Sequence, residues 1–264
     1  MSKQITFQNS RIAYKVYGEG KPVMLVHGFG EDSKIWQQQV DYLKDKFRLI
    51  IPDLPGTAGS EIIGDMSMEG MAEVLNAILL EEKISTCSVI GHSMGGYILL
   101  AFAAKYAEKL DRFGLFHSSA FADSDEKKET RKKGIAFIRE QGAYAFLKTA
   151  TPNLFSPKTK AERPEIIEQQ VEEGHNFLPQ VLVSYYEAMM KRPDRTDILK
   201  QATVPVLFIM GKFDQAVPID DSLKQTHLPE ISFIHTLSDS GHMGMVEEVE
   251  NSNTILQNFL STYH

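Results

Sequence analysis

Gly91-His92-Ser93-Met94-Gly95 lies between an apolar, β-branched segment, Cys87 to Ile90, and a segment rich in Ala and Leu, Gly96 to Tyr106. A G-x-S-x-G pentapeptide between a strand and a helix is the sequence of a nucleophile elbow, a sharp turn that lifts a serine hydroxyl above a sheet. Such a turn leaves almost no room for side chains beside the serine, which accounts for the flanking glycines. Since Gly and Ser are common residues, the pentapeptide alone is weakly specific, and the assignment depends on partner residues elsewhere.

Two further residues follow the serine in the chain order that serine-based catalysis on such a sheet requires. A serine hydroxyl is a weak nucleophile unless a base takes its proton, and the base needs a third group that fixes its tautomer. Asp214 lies on a turn just after the predicted strand 204–210, and His242 lies on a glycine-flanked loop after the predicted strand 231–237. We predict Ser93 as the nucleophile, His242 as the base and Asp214 as the orienting acid.

Predicted strands and helices alternate along the chain, as in a mostly parallel α/β sheet. An antiparallel pair is predicted over 4–7 and 12–17, and later strands over 23–26, 48–51, 87–90, 113–116, 204–210 and 231–237. Between the sixth and seventh strands, Pro152, Pro157, Pro164 and Pro179 divide the chain into short helices. We predict an eight-stranded sheet flanked by helices, with residues 1–118 and 202–264 as the core domain and residues 119–201 as an inserted helical cap.

Five stretches together make the chain resemble a capped, single-domain, esterase-like α/β-hydrolase, and the similarity covers nearly the whole chain. They are His27-Gly28-Phe29-Gly30, Asp53-Leu54-Pro55-Gly56, Gly91 to Gly96, Gly211 to Pro218 and Gly241-His242-Met243. The family often continues the second stretch as Gly-His-Gly-x-Ser, whereas this chain has Gly56-Thr57-Ala58-Gly59-Ser60. The resemblance implies an α/β-hydrolase fold and a serine hydrolase. No metal and no cofactor is predicted, because H-E-x-x-H or comparable ligand spacing does not occur.

The same resemblance implies where the oxyanion hole and the substrate contacts lie. The oxygen of a tetrahedral intermediate needs two preorganised donors. One is the backbone N–H of Met94, after the nucleophile, and the family pattern places the second on Phe29, whose ring would then form a wall of the site. An apolar stripe from Phe177 to Met190 predicts a cap helix above the serine. Most of its side chains are expected to pack the cap, and Tyr185 and Met189 are the candidates for substrate contact.

Other conspicuous polar residues are interpreted as structural. His92 is predicted to pack within the elbow, His27 to brace the oxyanion loop, and His117 to be a packed or solvated histidine after a strand. Asp53 is predicted as a turn residue that bonds to the backbone. Asp123, with Glu126 three residues later, is predicted as a capping box at the start of the first cap helix.

Three functions remain open at this point. The favoured one is hydrolysis of small, largely apolar carboxylic esters through an acyl-enzyme. The second is a C–C bond hydrolase or lyase on the same fold that acts on an anionic metabolite, and the third is a slow-turnover ligand receptor. The second would need arginines near the site, but the charged surroundings of most cap arginines predict solvated side chains. The cap arginines are Arg131, Arg139, Arg163, Arg192 and Arg195. The serine at the elbow excludes dehalogenases and epoxide hydrolases, which use aspartate there.

Composition is that of an ordinary enzyme of 264 residues. The formal net charge of −7 is spread in mixed-sign runs, which argues against a nucleic-acid or anionic-membrane partner. No signal peptide and no membrane span is predicted, and the single cysteine, Cys87, excludes an internal disulfide. We therefore expect a cytoplasmic monomer or homodimer whose partner is a small-molecule substrate.

Overall fold

The computed structural model describes residues 1–262 and contains one eight-stranded sheet. Its strands are β1 (Ser2–Phe7), β2 (Ser10–Tyr17), β3 (Lys21–Val26), β4 (Phe47–Pro52), β5 (Cys87–His92), β6 (Leu110–Phe116), β7 (Val206–Gly211) and β8 (Ser232–Leu237). The spatial order is β1-β2-β4-β3-β5-β6-β7-β8. Strand β2 is antiparallel to both of its neighbours, and the pairs from β4 to β8 are parallel. The predicted mostly parallel, eight-stranded sheet is confirmed.

Strand boundaries differ from the predicted ones by a few residues. The turn between β1 and β2 is made by Gln8 and Asn9, with φ angles of 48° and 70°, one residue earlier than predicted. Both angles lie in the left-handed region that a tight hairpin turn requires. Strand β7 begins at Val206 rather than at residue 204, directly after Pro205, which has no N–H to donate to a neighbouring strand.

Helices connect the strands and also fill the segment between β6 and β7. Those outside that segment are α1 (Gln37–Leu43), α2 (Met68–Glu81), α3 (Met94–Tyr106), α10 (Ile219–Leu223), α11 (Gly244–Glu247) and α12 (Val249–Ser261). Those between β6 and β7 are α4 (Asp125–Gln141), α5 (Ala143–Ala150), α6 (Pro157–Glu162), α7 (Pro164–Glu172), α8 (Pro179–Lys191) and α9 (Thr196–Lys200). Short 3-10 turns cover Ser33–Trp36, Ala107–Lys109, Thr151–Leu154 and Glu173–Asn176. Among the described residues, no helix is long and apolar enough to cross a membrane.

The two faces of the sheet are covered by different helices. On β3, Met24 and Val26 belong to the apolar cluster shared with α2 and α3, whereas Val23 and Leu25 belong to the cluster shared with α1 and α12. This alternation follows from the two-residue period of a strand, which sends successive side chains to opposite faces. Both faces are therefore buried, and the polar residues that could do chemistry are left to the loops at the strand ends.

Helix α4 begins differently from the prediction. Its N-cap is Ser124, whose hydroxyl accepts a hydrogen bond from the N–H of Lys127 at 3.2 Å. The predicted capping box of Asp123 and Glu126 is therefore wrong. The Asp123 carboxylate is buried and instead forms ion pairs with two arginines, Arg131 and Arg192.

Helix α8 has two buried faces, which explains the width of its apolar stripe. Val181, Tyr185 and Met189 join the apolar cluster that contains β3 and α3. Leu182 and Val183 pack instead in a separate cluster with residues of α4 and α5. The helix is thus fixed on one side to the sheet domain and on the other to its neighbouring helices.

Candidate active site

Ser93 occupies a strained turn between β5 and α3. Its φ of 50° and ψ of −115° are rare for a residue with a side chain, and such strain persists only where the surroundings impose it. The N–H of Ser93 donates to the carbonyl oxygen of Phe116 at 3.0 Å, and the hydroxyl of Ser118 donates to the Ser93 carbonyl oxygen at 2.7 Å. The backbone of Ser93 is therefore held on both sides by residues at and just after the end of β6.

The glycines around Ser93 are required by space rather than by backbone angle. None of the three has a positive φ. A Cβ atom at Gly91 would overlap the carbonyl oxygen of Gly95, one at Gly95 would overlap that of Val26, and one at Gly96 would overlap the side chain of Ser118. The sequence prediction that this turn excludes side chains agrees with the structure.

Asp214 and His242, predicted as acid and base, are hydrogen-bonded to each other. Asp214 Oδ2 lies 2.7 Å from His242 Nδ1, while Oδ1 accepts from the N–H groups of Ala216 at 2.9 Å and Val217 at 2.8 Å. Burial alone would raise the pKa of Asp214, but the charge and hydrogen bond of His242, together with the nearby His117 ring, outweigh it and hold that pKa far below its usual range. Burial likewise lowers the pKa of His242, and the Asp214 carboxylate more than compensates, so the pKa is raised.

Ser93 and His242 line the same cavity. Within residues 1–262 no hydrogen bond joins the two side chains. Such catalytic contacts are often long in unliganded enzymes and tighten when substrate binds.

A second histidine, His117, also faces the acid. Its Nδ1 lies 3.3 Å from Asp214 Oδ2, and its Nε2 accepts the N–H of Gly244 at 3.2 Å. Because Nε2 accepts, the neutral ring carries its proton on Nδ1, toward the carboxylate. Burial lowers the pKa of His117 to about 4, so it is neutral at physiological pH. Of the two predicted alternatives, packed or solvated, His117 is packed, and it also contacts Asp214.

The ligand atoms of His117, Asp214 and His242 lie within 4.8 Å of one another, a spacing that a metal ion could use. Asp214 Oδ2, which lies between the two histidines, already has a hydrogen-bond partner in His242 Nδ1 at 2.7 Å. The arrangement fits a hydrogen-bonded acid–base group, and the absence of a metal remains a prediction.

His92, beside the nucleophile, is buried between two acceptors. Its Nε2 lies 2.9 Å from the carbonyl oxygen of His242 and its Nδ1 lies 2.9 Å from Glu31 Oε2. Glu31 Oε2 also accepts the N–H of Gly28 at 2.7 Å. Burial alone would raise the pKa of Glu31, but the nearby His92 charge and these hydrogen bonds lower it. This pair connects the loop after β3, the elbow and the His242 loop.

Glu247, on α11, orders the loop that carries His242. Its Oε1 accepts the N–H groups of Gly241 at 2.8 Å and Met243 at 3.2 Å, on either side of the histidine. Its Oε2 accepts the N–H of Ser156 and the hydroxyl of Thr159, both at 2.8 Å. One buried carboxylate therefore joins the His242 loop to the helical segment between β6 and β7.

The two predicted oxyanion donors are available. Within residues 1–262 the backbone N–H groups of Phe29 and Met94 have no hydrogen-bond acceptor.

His27 braces the Phe29 loop as predicted, since its Nε2 accepts the N–H of Leu54 at 3.0 Å and its Nδ1 lies 2.9 Å from the carbonyl oxygen of Gly28. Asp53 also bonds to the backbone as predicted, through the N–H of Ser33 at 3.2 Å.

A cavity of about 520 Å³ brings these groups together with residues of α4 and α8. Its wall includes Phe29, Ser93, Tyr97, Lys127, Arg131, Tyr186, Met189 and His242. A second groove, of about 630 Å³ beside α1 and α7, includes neither Ser93 nor His242 among its described lining residues. The smaller cavity is therefore the candidate active site.

The predicted substrate contacts are partly corrected by the cavity. Phe29 and Met189 line it, but Tyr185 does not. Tyr185 is fully buried against the core, and its hydroxyl donates to the carbonyl oxygen of Pro55 at 2.8 Å. Its neighbour Tyr186 faces the cavity instead and stacks on Phe29 with ring centroids 4.3 Å apart. The apolar stripe indicated the right helix, but a helix with two buried faces does not reveal which face meets the cavity.

The prediction that the cap arginines are mostly solvated is wrong, because three of the five are largely buried. Arg192 and Arg195 are buried, and Arg131 has a side chain only 18% exposed. Arg139, at 64% exposure, fits the prediction, while Arg163 donates to the Glu247 carbonyl oxygen at 2.5 Å. A run of mixed charges along a sequence indicates solvation only where the helix face is free, and the first half of α4 faces the cavity.

Sequence reasoning missed Glu31, Glu247 and Tyr186. Glu31 directly follows the glycine-containing stretch after β3, and Glu247 follows His242 by five residues, so both lie next to predicted motifs. Their roles depend on contacts with residues distant in sequence, and a single chain gives no signal for those contacts.

Comparison with known proteins places the chain in a family. A family model of the α/β-hydrolase fold matches residues 21–135. A pimeloyl-(acyl-carrier protein) methyl ester esterase of Vibrio cholerae is 26% identical over 243 residues, which cover 90% of this chain and 93% of that protein. A 3-oxoadipate enol-lactonase of Acinetobacter baylyi is 25% identical over 82% of this chain and 81% of its own length. A thermophilic esterase of Thermogutta terrifontis, solved with malate bound, superposes with a TM-score of 0.92 and 31% identity over 98% of both chains. The chain therefore belongs to the α/β-hydrolase fold family and is an esterase-like hydrolase.

Proposed function

We propose that this enzyme hydrolyses small carboxylic esters through an acyl-enzyme formed on Ser93. The observation that carries the proposal is the hydrogen bond between Asp214 and His242, 2.7 Å long, beside a cavity that also contains the strained Ser93. The carboxylate holds a proton on Nδ1 of the imidazole, which leaves Nε2 free to accept one.

The reaction follows from these positions. His242 takes the proton from the Ser93 hydroxyl as Oγ attacks the ester carbonyl carbon. The carbonyl oxygen becomes an oxyanion, which the N–H groups of Phe29 and Met94 stabilise. The tetrahedral intermediate collapses when His242 protonates the leaving alkoxide, and the acyl group remains on Ser93. A water, deprotonated by His242, then attacks the acyl-enzyme. The second tetrahedral intermediate collapses as His242 gives that proton to Ser93 Oγ, which releases the acid and restores the enzyme.

We further propose that residues 119–201 act as a cap on the core formed by residues 1–118 and 202–264. The cavity wall supports this division because Arg131 of α4 and Met189 of α8 share it with Ser93. In this proposal Phe29, Tyr186 and Met189 contact the acyl chain, and each methylene buried there contributes roughly 0.8 kcal/mol.

A panel of chromogenic esters of graded acyl length tests the proposal, with a C–C substrate such as an anionic vinylogous diketone beside it. We expect hydrolysis of the esters, with kcat/KM rising from acetate to about butyrate or hexanoate and then falling as the 520 Å³ cavity fills. The Ser93→Ala variant should lose this activity. Cleavage of the C–C substrate without ester hydrolysis would establish the lyase alternative, and tight ligand binding with negligible turnover would establish a receptor.

A further inference from the structure

One buried carboxylate, Asp123, is shared by two arginines, of which Arg131 lines the cavity. Asp123 Oδ2 accepts from Arg131 Nε at 2.6 Å, and Asp123 Oδ1 accepts from Arg192 Nη1 at 2.8 Å and from Arg131 Nη2 at 3.3 Å. Arginine stays protonated in proteins, so one negative charge faces two positive charges. The cluster of Asp123, Arg131 and Arg192 therefore carries an excess positive charge, which reaches the cavity through Arg131.

The two arginines differ in what they can still bind. Arg192 lies 3.7 Å from the ring centroid of Tyr97, and it also donates to the carbonyl oxygens of Met189 at 2.9 Å and Phe121 at 2.8 Å. Its side chain is only 4% exposed, so its role is to hold Asp123 in place. Within residues 1–262, Nη1 of Arg131 donates to no acceptor, and it is not among the fully buried atoms. Arg131 lines the cavity, and the N–H groups of its Nη1 are free to bind a ligand.

Two aromatic rings connect Arg131 to Phe29, whose backbone N–H is a proposed oxyanion donor. The Arg131 guanidinium lies 5.2 Å from the ring centroid of Tyr186, and that ring stacks on Phe29 at 4.3 Å. One aromatic ring thus separates the cation from the residue that is proposed to bind the oxyanion. A short chain of methylenes along these rings would span the gap.

The other charged groups of the wall leave this excess in place. The Lys127 ammonium donates to the Ala216 carbonyl oxygen at 3.2 Å and adds a second cation. Among the carboxylates, Asp221 pairs with Lys224 at 2.8 Å, Glu31 is bonded to His92, and Glu126 is exposed to solvent. Solvent screens an exposed charge far more than a buried one.

We propose that Arg131 is a specificity-determining residue that binds a carboxylate on the substrate, so that the enzyme prefers short esters with a carboxylate remote from the scissile bond. A guanidinium binds a carboxylate through charge-assisted hydrogen bonds, which a neutral group of the same shape does not form. The inference rests on the proposed function, because it assumes that the ester is cleaved at Ser93.

Paired substrates of equal size test it. In one pair the carboxylate is on the acyl side: monomethyl glutarate against its amide analogue, in which –CONH₂ replaces the carboxylate. In the other pair it is on the alcohol side: the butyryl ester of 3-hydroxypropionate against the corresponding amide. In at least one pair the wild type should show a kcat/KM about tenfold or more higher for the carboxylate.

Arg131→Gln should lower kcat/KM for the preferred carboxylate by about 10- to 100-fold and change that of its amide less than about threefold. Arg139→Gln is the matched control, because Arg139 belongs to the same helix but is exposed and pairs with Glu187 at 3.2 Å. It should leave both rates unchanged. Arg131→Lys, which keeps the charge but not the planar fork, should give an intermediate preference.

The outcomes separate the two proposals. If Ser93-dependent hydrolysis of the amide esters is present but the wild type shows no carboxylate preference, or Arg131→Gln leaves it intact, the carboxylate site is refuted and the esterase stands. If the wild type cleaves neither kind of ester, both proposals fail. Should Arg131→Gln not fold, inhibition of the wild type decides: glutarate should inhibit better than glutaramide, and equal inhibition refutes the site.

Discussion

The core side of the candidate active-site cavity and its helical side are built in different ways. On the core side, each buried carboxylate accepts backbone N–H groups close to it in sequence, as Asp214 does from Ala216 and Val217 and Glu247 does from Gly241 and Met243. On the helical side, Arg131 and Met189 come from two helices whose positions depend on how α4 packs against α8. The core side is thus built from loops whose carboxylates bind nearby backbone N–H groups, and the helical side from packing between helices.

Substitutions should separate these two sides. Changes on the core side should reduce turnover for every substrate, whereas changes on the helical side should redistribute activity among substrates.

The largest effect is expected for Asp214→Asn. Asparagine keeps the shape but stabilises the wrong tautomer of His242, and the same change in serine proteases lowers kcat by about 10⁴-fold. Steady-state kinetics on a neutral ester measures the effect, and an unchanged melting temperature serves as the folding control. A variant with near-normal kcat would show that Asp214 does not orient the base.

Glu31 holds the loop after β3 and the elbow together through Gly28 and His92. Glu31→Gln should loosen this loop, misplace the reacting groups and lower kcat by about 10- to 100-fold. KM should change less than kcat, because Glu31 acts through its bonds to Gly28 and His92. Glu73→Gln is the control, because Glu73 pairs with Lys105 at 2.7 Å on the protein surface. An equal effect of the two substitutions would show that Glu31 does not position the reacting groups.

The pH dependence tests the Asp214–His242 pair more finely. Since the Asp214 carboxylate stabilises the imidazolium, the pKa of His242 is raised above 6.5, and kcat/KM should rise with pH through that higher value. In Asp214→Asn the stabilising charge is lost while burial remains, so the limb should move to lower pH. A limb at the same pH in both proteins would mean that another group is being titrated.

The smallest effect is expected for Met189→Ala, which enlarges the cavity. We expect the preferred acyl chain to lengthen by about one or two carbons, with total activity within about fivefold. Met190→Ala, which alters a neighbouring residue outside the cavity wall, should leave the optimum in place. The ester panel measures both variants, and a shared shift would indicate a general loosening of α8.

The same contrast explains how far sequence alone could go. The sheet could be predicted from its apolar strand segments. The turn at Ser93 and the proximity of Asp214 and His242 could be predicted because the three residues follow apolar strands and lie near glycines. Tyr186 could not be distinguished from Tyr185, since α8 buries both of its faces. Asp123 satisfied the spacing of a capping box, yet Arg131 and Arg192 attract its carboxylate more strongly than the helix end does. Pairings between distant residues leave no periodic trace in one chain.

The central claim is that Ser93 is the single nucleophile of this cavity. Treatment with a fluorophosphonate probe, followed by peptide mass spectrometry of wild type and Ser93→Ala, tests it most directly. We expect one adduct, on Ser93, with complete loss of esterase activity in the wild type and no adduct in the variant. An adduct on Ser118 or Ser119, or labelling that persists in Ser93→Ala, would contradict it.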